Sequence, residues 1–167
     1  WALDAKLAQR RHFPSINWLN SYSLYLPVLE QWYAKNVAPD WHSLVVEMMG
    51  ILQEEDKLLE IVQLVGSDAL PERQQITLQV ARLIREVLLQ QNAFHEVDTF
   101  CEMKKTYKIM KILMHFSKLA NAALDRGVRM QQITSSKAKD KLSEVKFVKD
   151  YEKLLEELSK QMEHELK

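Results

Sequence analysis

Apolar residues recur along this chain at spacings of three and four, the rhythm of helices that bury one face. From Trp18 the positions Trp18, Leu19, Tyr22, Tyr25, Leu26, Leu29, Trp32 and Tyr33 follow it. Pro27 inside that run removes one backbone hydrogen bond, so a kinked helix or a helix pair is expected. Pro39 and Asp40 open the next stretch, in which Leu44, Val45, Met48, Leu52, Leu59, Val62 and Val65 form one stripe. Gly66 then supplies a left-handed cap. Ser67 to Leu70 makes a tight loop, and Pro71 with Glu72 suits a first helical turn. The helix that follows runs to about Gln91, with Ile76, Val80, Leu83, Ile84, Val87 and Leu88 inward and Gln75, Gln79, Arg82, Arg85 and Glu86 outward. Two amphipathic helices joined so tightly predict an antiparallel hairpin with the loop at its tip.

On either side of this hairpin the pattern is shorter or less regular. Leu3 and Leu7 mark a short helix over residues 2 to 11, which Pro14 stops at Phe13 because the residue before proline avoids helical geometry. Residues 92 to 101 break the rhythm. A helix from Glu102 to Asp125 then carries Met103, Tyr107, Met110, Leu113, Met114 and Leu124, and Gly127 ends it. Val128 to Ser136 reads as a helical turn. Lys137 to Leu166 reads as one long amphipathic helix marked by Leu142, Val145, Val148, Tyr151, Leu155, Leu158 and Met162, with i, i+4 pairs Glu156 to Lys160 and Glu163 to Lys167. The expected fold is all-α, a bundle of about six helices with a protruding helical hairpin. Three glycines and four prolines in 167 residues leave little turn chemistry for a sheet of many strands.

An apolar content of 47% supports one core in one domain. Lys plus Arg and Asp plus Glu balance at 23 each and form no long block, which argues against nucleic acid as a partner. No apolar run approaches the roughly 20 residues that span a bilayer, and Cys101 is the single cysteine, so the chain reads as cytosolic without an internal disulfide. Trp1 has no methionine before it, and the chain reads as a fragment of a longer polypeptide.

Candidate chemistry is sparse. Neither G-x-x-x-x-G-K-[ST] nor G-x-G-x-x-G occurs, so a phosphate-cradling loop is missing. None of the five histidines follows a glutamate by three residues, which removes the carboxylate-bridged metal bundle. His95 and Cys101 share the 92 to 101 loop, but two ligands fall short of a tetrahedral zinc site. As a Cys/His nucleophile they would need an orienting partner. A small buried thiol near a surface histidine is the simpler reading. No metal-binding or catalytic residue is assigned.

The run Leu3-Asp4-Ala5-Lys6-Leu7-Ala8-Gln9-Arg10-Arg11-His12-Phe13-Pro14-Ser15-Ile16-Asn17-Trp18 resembles the catalytic A subunit of archaeal (A-type) and vacuolar (V-type) rotary ATPases. Leu52-Gln53-Glu54-Glu55, Glu60 to Gly66, Leu89 to Phe94 and Asp98-Thr99-Phe100-Cys101 occur in that family's order and spacing, and the resemblance thins after about residue 128. It implies that residues 1 to 17 lead in from a nucleotide-binding domain and that residues 18 to 167 are the C-terminal helical domain. It also implies a cytoplasmic head, peripheral to the cell membrane, in which ATP synthesis or hydrolysis is coupled to ion translocation. The partners so implied are the B subunit, the central-stalk subunits and adenine nucleotide. ATP or ADP with magnesium would be held mostly by residues outside this chain, and the fragment alone would be inactive.

Two local roles follow from the resemblance. Phe13, before Pro14, together with Phe94 and Phe100, looks like the aromatic wall of the adenine site in the related β subunit of bacterial and mitochondrial ATP synthases. Cys101 beside them resembles a cysteine that vacuolar relatives associate with redox control through a second cysteine in the P-loop. On burial statistics alone these phenylalanines read as core or interdomain packing. The tip Gly66, Ser67, Asp68, Ala69, Leu70, Pro71, Glu72 and Arg73 resembles the loop that bears on the rotating stalk, although Arg73 interrupts its acids; composition alone makes it a solvated turn. The alternatives are a free-standing helical adaptor with an apolar groove for a partner helix, and a small enzyme using His95 or Cys101.

Overall fold

The computed structural model describes Trp1 to Lys167, the side chain of Val65 excepted. Its order is β1 (Ala2–Leu3), α1 (Ala5–Gln9), β2 (Ile16–Asn17), α2 (Leu26–Asn36), α3 (Trp41–Val65), α4 (Glu72–Leu83), α5 (Met103–Asp125), α6 (Met130–Thr134), α7 (Lys137–Lys141) and α8 (Tyr151–Glu165). A 3₁₀ turn, Ser67–Ala69, joins α3 to α4. A π-helical segment, Ile84–Leu89, continues α4, and a second 3₁₀ stretch, Leu142–Phe147, continues α7. The fold is all-α, and its strands are a single two-residue antiparallel pair.

Helix α5 is the axis of the bundle, packed against α3, α4, the π segment and α8. Ile109, Met110, Ile112, Leu113, Met114, Phe116, Ala120 and Ala123 are all buried on it, which is more than one stripe, as a helix covered on several sides requires. Asp40, ahead of α3, accepts hydrogen bonds from Tyr107 Oη at 2.7 Å and Lys111 Nζ at 2.9 Å, and Lys118 Nζ lies 4.0 Å from Glu47. Those links set α5 parallel to α3. They also hold the Asp40 carboxyl below its usual range, through Lys111 first and then Tyr107.

The α3–α4 hairpin forms as expected, and Gly66 (φ 85°) and Gly127 (φ 85°) end α3 and α5 in geometry that favours glycine. The buried stripe of α3, however, is Leu44, Met48, Leu52, Glu55 and Leu58. Leu59 is 36% exposed and Leu58 takes the buried place; the Val65 side chain lies outside the described residues. Glu55 is admitted to this stripe because Arg85, expected to face outward, turns in to form an ion pair with it. Burial pulls the Arg85 guanidinium below its ordinary value, with Glu86 opposing and Arg10 reinforcing the fall.

Three segments differ from their pattern for identifiable reasons. Leu3 lies in β1, and α1 begins only after Asp4, whose carboxylate accepts the Lys6 N–H at 2.8 Å and the Leu7 N–H at 3.4 Å. Residues 18 to 25 are turns and irregular chain rather than helix: Pro27 sits in the first turn of α2, where a missing N–H costs nothing. Residues 137 to 166 are not one helix. The Lys105 ammonium takes the carbonyls of Lys146 (2.8 Å) and Val148 (3.0 Å), the acceptors a continuing helix would have used, and Val148 is extended.

Tyr33 stacks on Trp41 at 5.0 Å and ties α2 to α3. No residue of α2 is buried, and Tyr22, Leu24, Tyr25, Leu26, Val28, Leu29 and Trp32 form a run of exposed large apolar side chains.

Candidate functional site

Residues 1 to 17 fold into a small closed unit before they meet the bundle. Asp4 accepts from the Asn17 side-chain amide at 2.9 Å, and its N–H donates to the Ser15 carbonyl at 3.0 Å. The Asn17 bond, chiefly, holds the Asp4 carboxyl below its usual range. This unit then docks on the end of the π segment. The Gln91 N–H donates to the Phe13 carbonyl at 2.7 Å, Gln90 Nε2 donates to the Arg11 carbonyl at 3.4 Å, and the His12 ring lies 3.3 Å from the Arg85 carbonyl. The Phe13–Pro14 peptide is cis.

The chain passes from Gln91 directly into the 92 to 101 loop, whose interior is polar and well connected. Asn92 N–H donates to the Asp98 carboxylate at 2.6 Å, and Phe94 N–H donates to Asn92 Oδ1 at 3.0 Å. His95 Nδ1 accepts from the Val97 and Asp98 N–H groups at 3.2 and 3.3 Å. The His95 ring packs on Phe147 at 4.8 Å. Behind the loop, Lys146 Nζ donates to the carbonyls of Glu86 (2.9 Å) and Gln90 (3.1 Å) and lies 4.0 Å from Asp98. Burial lowers the Lys146 ammonium, while Asp98 and Glu86 pull the other way.

Held on this frame, the aromatic side chains themselves face away from the protein. Phe13 is 56%, Phe94 100% and Phe100 78% exposed. Packing in the chain's own core therefore accounts for none of them. Burying a phenylalanine is worth roughly 1.5 to 3 kcal/mol, and each of these three rings forgoes much of it within this chain. The Phe13–Gln91 hydrogen bond joins the first ring's backbone to the loop bearing the other two. Cys101 is half-buried, its thiol 3.8 Å from the Glu102 carbonyl and accepting from Thr106 Oγ1 at 3.4 Å. His95 is thus engaged with backbone amides, and Cys101 with Thr106. Among the described residues no three of His, Cys, Asp and Glu are grouped to hold a metal ion.

At the other end of the hairpin, Gly66, Ser67, Asp68, Ala69, Pro71 and Glu72 are exposed and Leu70 is buried. Gln75 Nε2 donates to the Leu70 carbonyl at 2.8 Å and stiffens the turn into α4. Arg73 is drawn from the tip acids to an exposed ion pair with Asp125 at the end of α5. The acids Asp68 and Glu72 are left without that intervening positive charge. The pattern along the chain missed Glu55, Asp98, Lys105 and Lys146. A signal did exist for two of them: Glu55 and Lys105 each sit in phase with an apolar stripe, where a charge needs a partner.

Comparison with known proteins points in one direction. Residues 30–134 match the family model described as the C-terminal domain of V and A type ATP synthase. The chain is 61% identical over 165 residues to the A subunit of the A-type ATP synthase of Methanoregula boonei, 56% to that of Methanoculleus marisnigri and 53% to that of Methanosarcina mazei. Each match covers 99% of this chain and 28% of the relative, so the chain spans little more than a quarter of their length. The similarity continues well beyond residue 128.

Proposed function

Since the chain belongs to the family of C-terminal domains of V- and A-type ATP synthases, we propose that it is the C-terminal part of a catalytic A subunit, where it walls the adenine site and passes nucleotide-driven motion to the central stalk. The observation that carries the first role is the set of exposed rings of Phe13, Phe94 and Phe100 about one hydrogen-bonded frame. An aromatic face grips any base at roughly 1 to 3 kcal/mol per stacked base and needs no chemistry of its own. In this reading ATP or ADP with magnesium supplies the reactive phosphates, and residues outside this chain hold the phosphates and the cation. The B subunit and the stalk subunits are the partners in this reading. The exposed apolar run from Tyr22 to Trp32 is surface that such an assembly buries.

The lever is the α3–α4 hairpin. Two long packed helices move as a unit, so a small closure at the base-binding end becomes a displacement of the Gly66 to Arg73 tip. The acids Asp68 and Glu72 give the tip its charge, and Leu70 beneath it gives stiffness.

In the intact protein, Phe94→Ala and Phe13→Ala each weaken Mg-ADP binding by about 5- to 100-fold, the range a lost base stack allows, and leave Mg-pyrophosphate binding unchanged. Equal ADP affinity in wild type and both variants defeats the adenine-wall reading. An Ala69→Cys tip that forms no nucleotide-dependent cross-link to the central stalk defeats the lever. The isolated 167-residue chain turns over no ATP; turnover abolished by a point change within it contradicts the assignment of bond making to other polypeptide.

A further inference from the structure

The exposed rings at 94 and 100 belong to a loop with no helix or strand to hold it, so something else fixes their direction. The buried groups beneath it are Asp98, 3% exposed, and Lys146, whose side chain is 11% exposed. A carboxylate so buried demands partners, and it has two: the Asn92 N–H at 2.6 Å and the Lys146 ammonium at 4.0 Å. Lys146 in turn directs its remaining donors to the carbonyls of Glu86 and Gln90, the open end of the π segment. One ammonium therefore joins the helix end that anchors Phe13, through Gln91, to the carboxylate that closes the loop bearing Phe94. Phe147, the next residue, packs on His95, which accepts the Val97 and Asp98 N–H groups. The 3₁₀ stretch bearing both Lys146 and Phe147 is itself fixed by Lys105, which takes the carbonyls of Lys146 and Val148.

We propose that Asp98 and Lys146 are positioning residues for base binding: they touch no nucleotide, but hold the 91 to 100 loop and the Phe13 carbonyl in one register so that the aromatic wall is formed before the base arrives. This rests on the adenine-wall reading above. Its physical content is preorganisation: a wall that must order on binding loses affinity to the cost of ordering, whereas a prebuilt one does not. The link also gives the C-terminal third of the domain a role in nucleotide affinity, although Phe13, Phe94 and Phe100 all lie outside residues 142 to 148.

The test is equilibrium binding of Mg-ADP and of Mg-pyrophosphate to the intact protein, in wild type, Lys146→Met, Lys146→Arg, Asp98→Asn, and Phe94→Ala. Lys146→Met is expected to weaken Mg-ADP about tenfold and to leave Mg-pyrophosphate within twofold. Lys146→Arg, which keeps the charge and the donors, recovers most of the loss. Asp98→Asn keeps one acceptor oxygen for Asn92 while the charged second oxygen becomes an amide NH2, so it weakens Mg-ADP by a smaller factor, about threefold, and remains a usable test if Lys146→Met does not fold. Unchanged Mg-ADP affinity in Asp98→Asn and Lys146→Met, with Phe94→Ala weakened, overturns the positioning role and leaves the adenine wall standing. Equal weakening of both ligands also overturns it, since that is general loosening. No loss in Phe94→Ala removes the wall reading, and the positioning role with it.

Discussion

Arg85→Met removes the guanidinium from the ion pair with Glu55 and isolates a carboxylate whose side chain is 6% exposed. That carboxylate must then stay ionised among Leu52, Leu58 and their neighbours or take up a proton, and the cheaper course sets the penalty. Protonation costs about 1.4 kcal/mol for each pH unit above an ordinary glutamate value of about 4.3, which caps the loss near 3.7 kcal/mol at pH 7 and near 1 kcal/mol at pH 5. Methionine fills much of the space arginine vacates, so a cavity adds little. A loss of about 2 to 3.7 kcal/mol at pH 7 is expected, at the lower end of what breaking a buried pair from one side costs. The sign with pH is fixed. In the variant the folded-state value of Glu55 rises above its unfolded value, so the penalty is absent below about pH 4 and grows as pH rises toward the folded value. Urea unfolding followed by helical circular dichroism at pH 5, 6 and 7.5 reads it directly. A difference from wild type below 0.5 kcal/mol, or one that stays constant over that range, refutes the reasoning. Adding Glu55→Leu to the variant removes the orphaned charge and returns stability to within about 1 kcal/mol of wild type.

Leu113→Ala, at a fully buried position on the axial helix, is expected to cost about 2 to 5 kcal/mol by calorimetric melting, and a loss below 1 kcal/mol would mean that the surrounding helices collapse freely onto the site. Gly127→Ala places a side chain at φ 85° with open space around it, so backbone strain alone should cost about 1 kcal/mol, read as a lower urea midpoint at unchanged slope. Glu165 accepts from Ser136 Oγ at 2.7 Å and Gln161 Nε2 at 2.6 Å; burial alone would raise its carboxyl, and these bonds with the Ala138 and Lys137 amides carry it below the ordinary value. Its contribution is present above pH about 4.5 and lost on acidification, so Glu165→Gln should flatten the acid limb of a stability–pH curve, and an unaltered limb contradicts this.

Much of the scaffold is legible in the residues themselves. The hairpin, helix α5 and the ends at Gly66 and Gly127 follow from periodicity and backbone chemistry within a few residues of each event. Where a distant group intervened, the pattern misled. The break after Phe147 is made by Lys105, more than 40 positions away, and the burial of Glu55 is licensed by Arg85 on the neighbouring helix. Pro27 is visible in the sequence, but whether it bends a helix or begins one depends on the turns ahead of it. The candidate site was legible in part. Its aromatics stand out by resemblance, while Asp98 and Lys146 give no local sign of each other.

The sequence alone determined where the chain can be helical and which faces are apolar, because those properties are set by residues three or four apart. The tertiary structure alone decided which apolar residues stay in water. Phe94 and Leu113 are both large hydrophobes on paper; one is wholly exposed and the other wholly buried, because burial depends on what packs against a position and not on what the residue is.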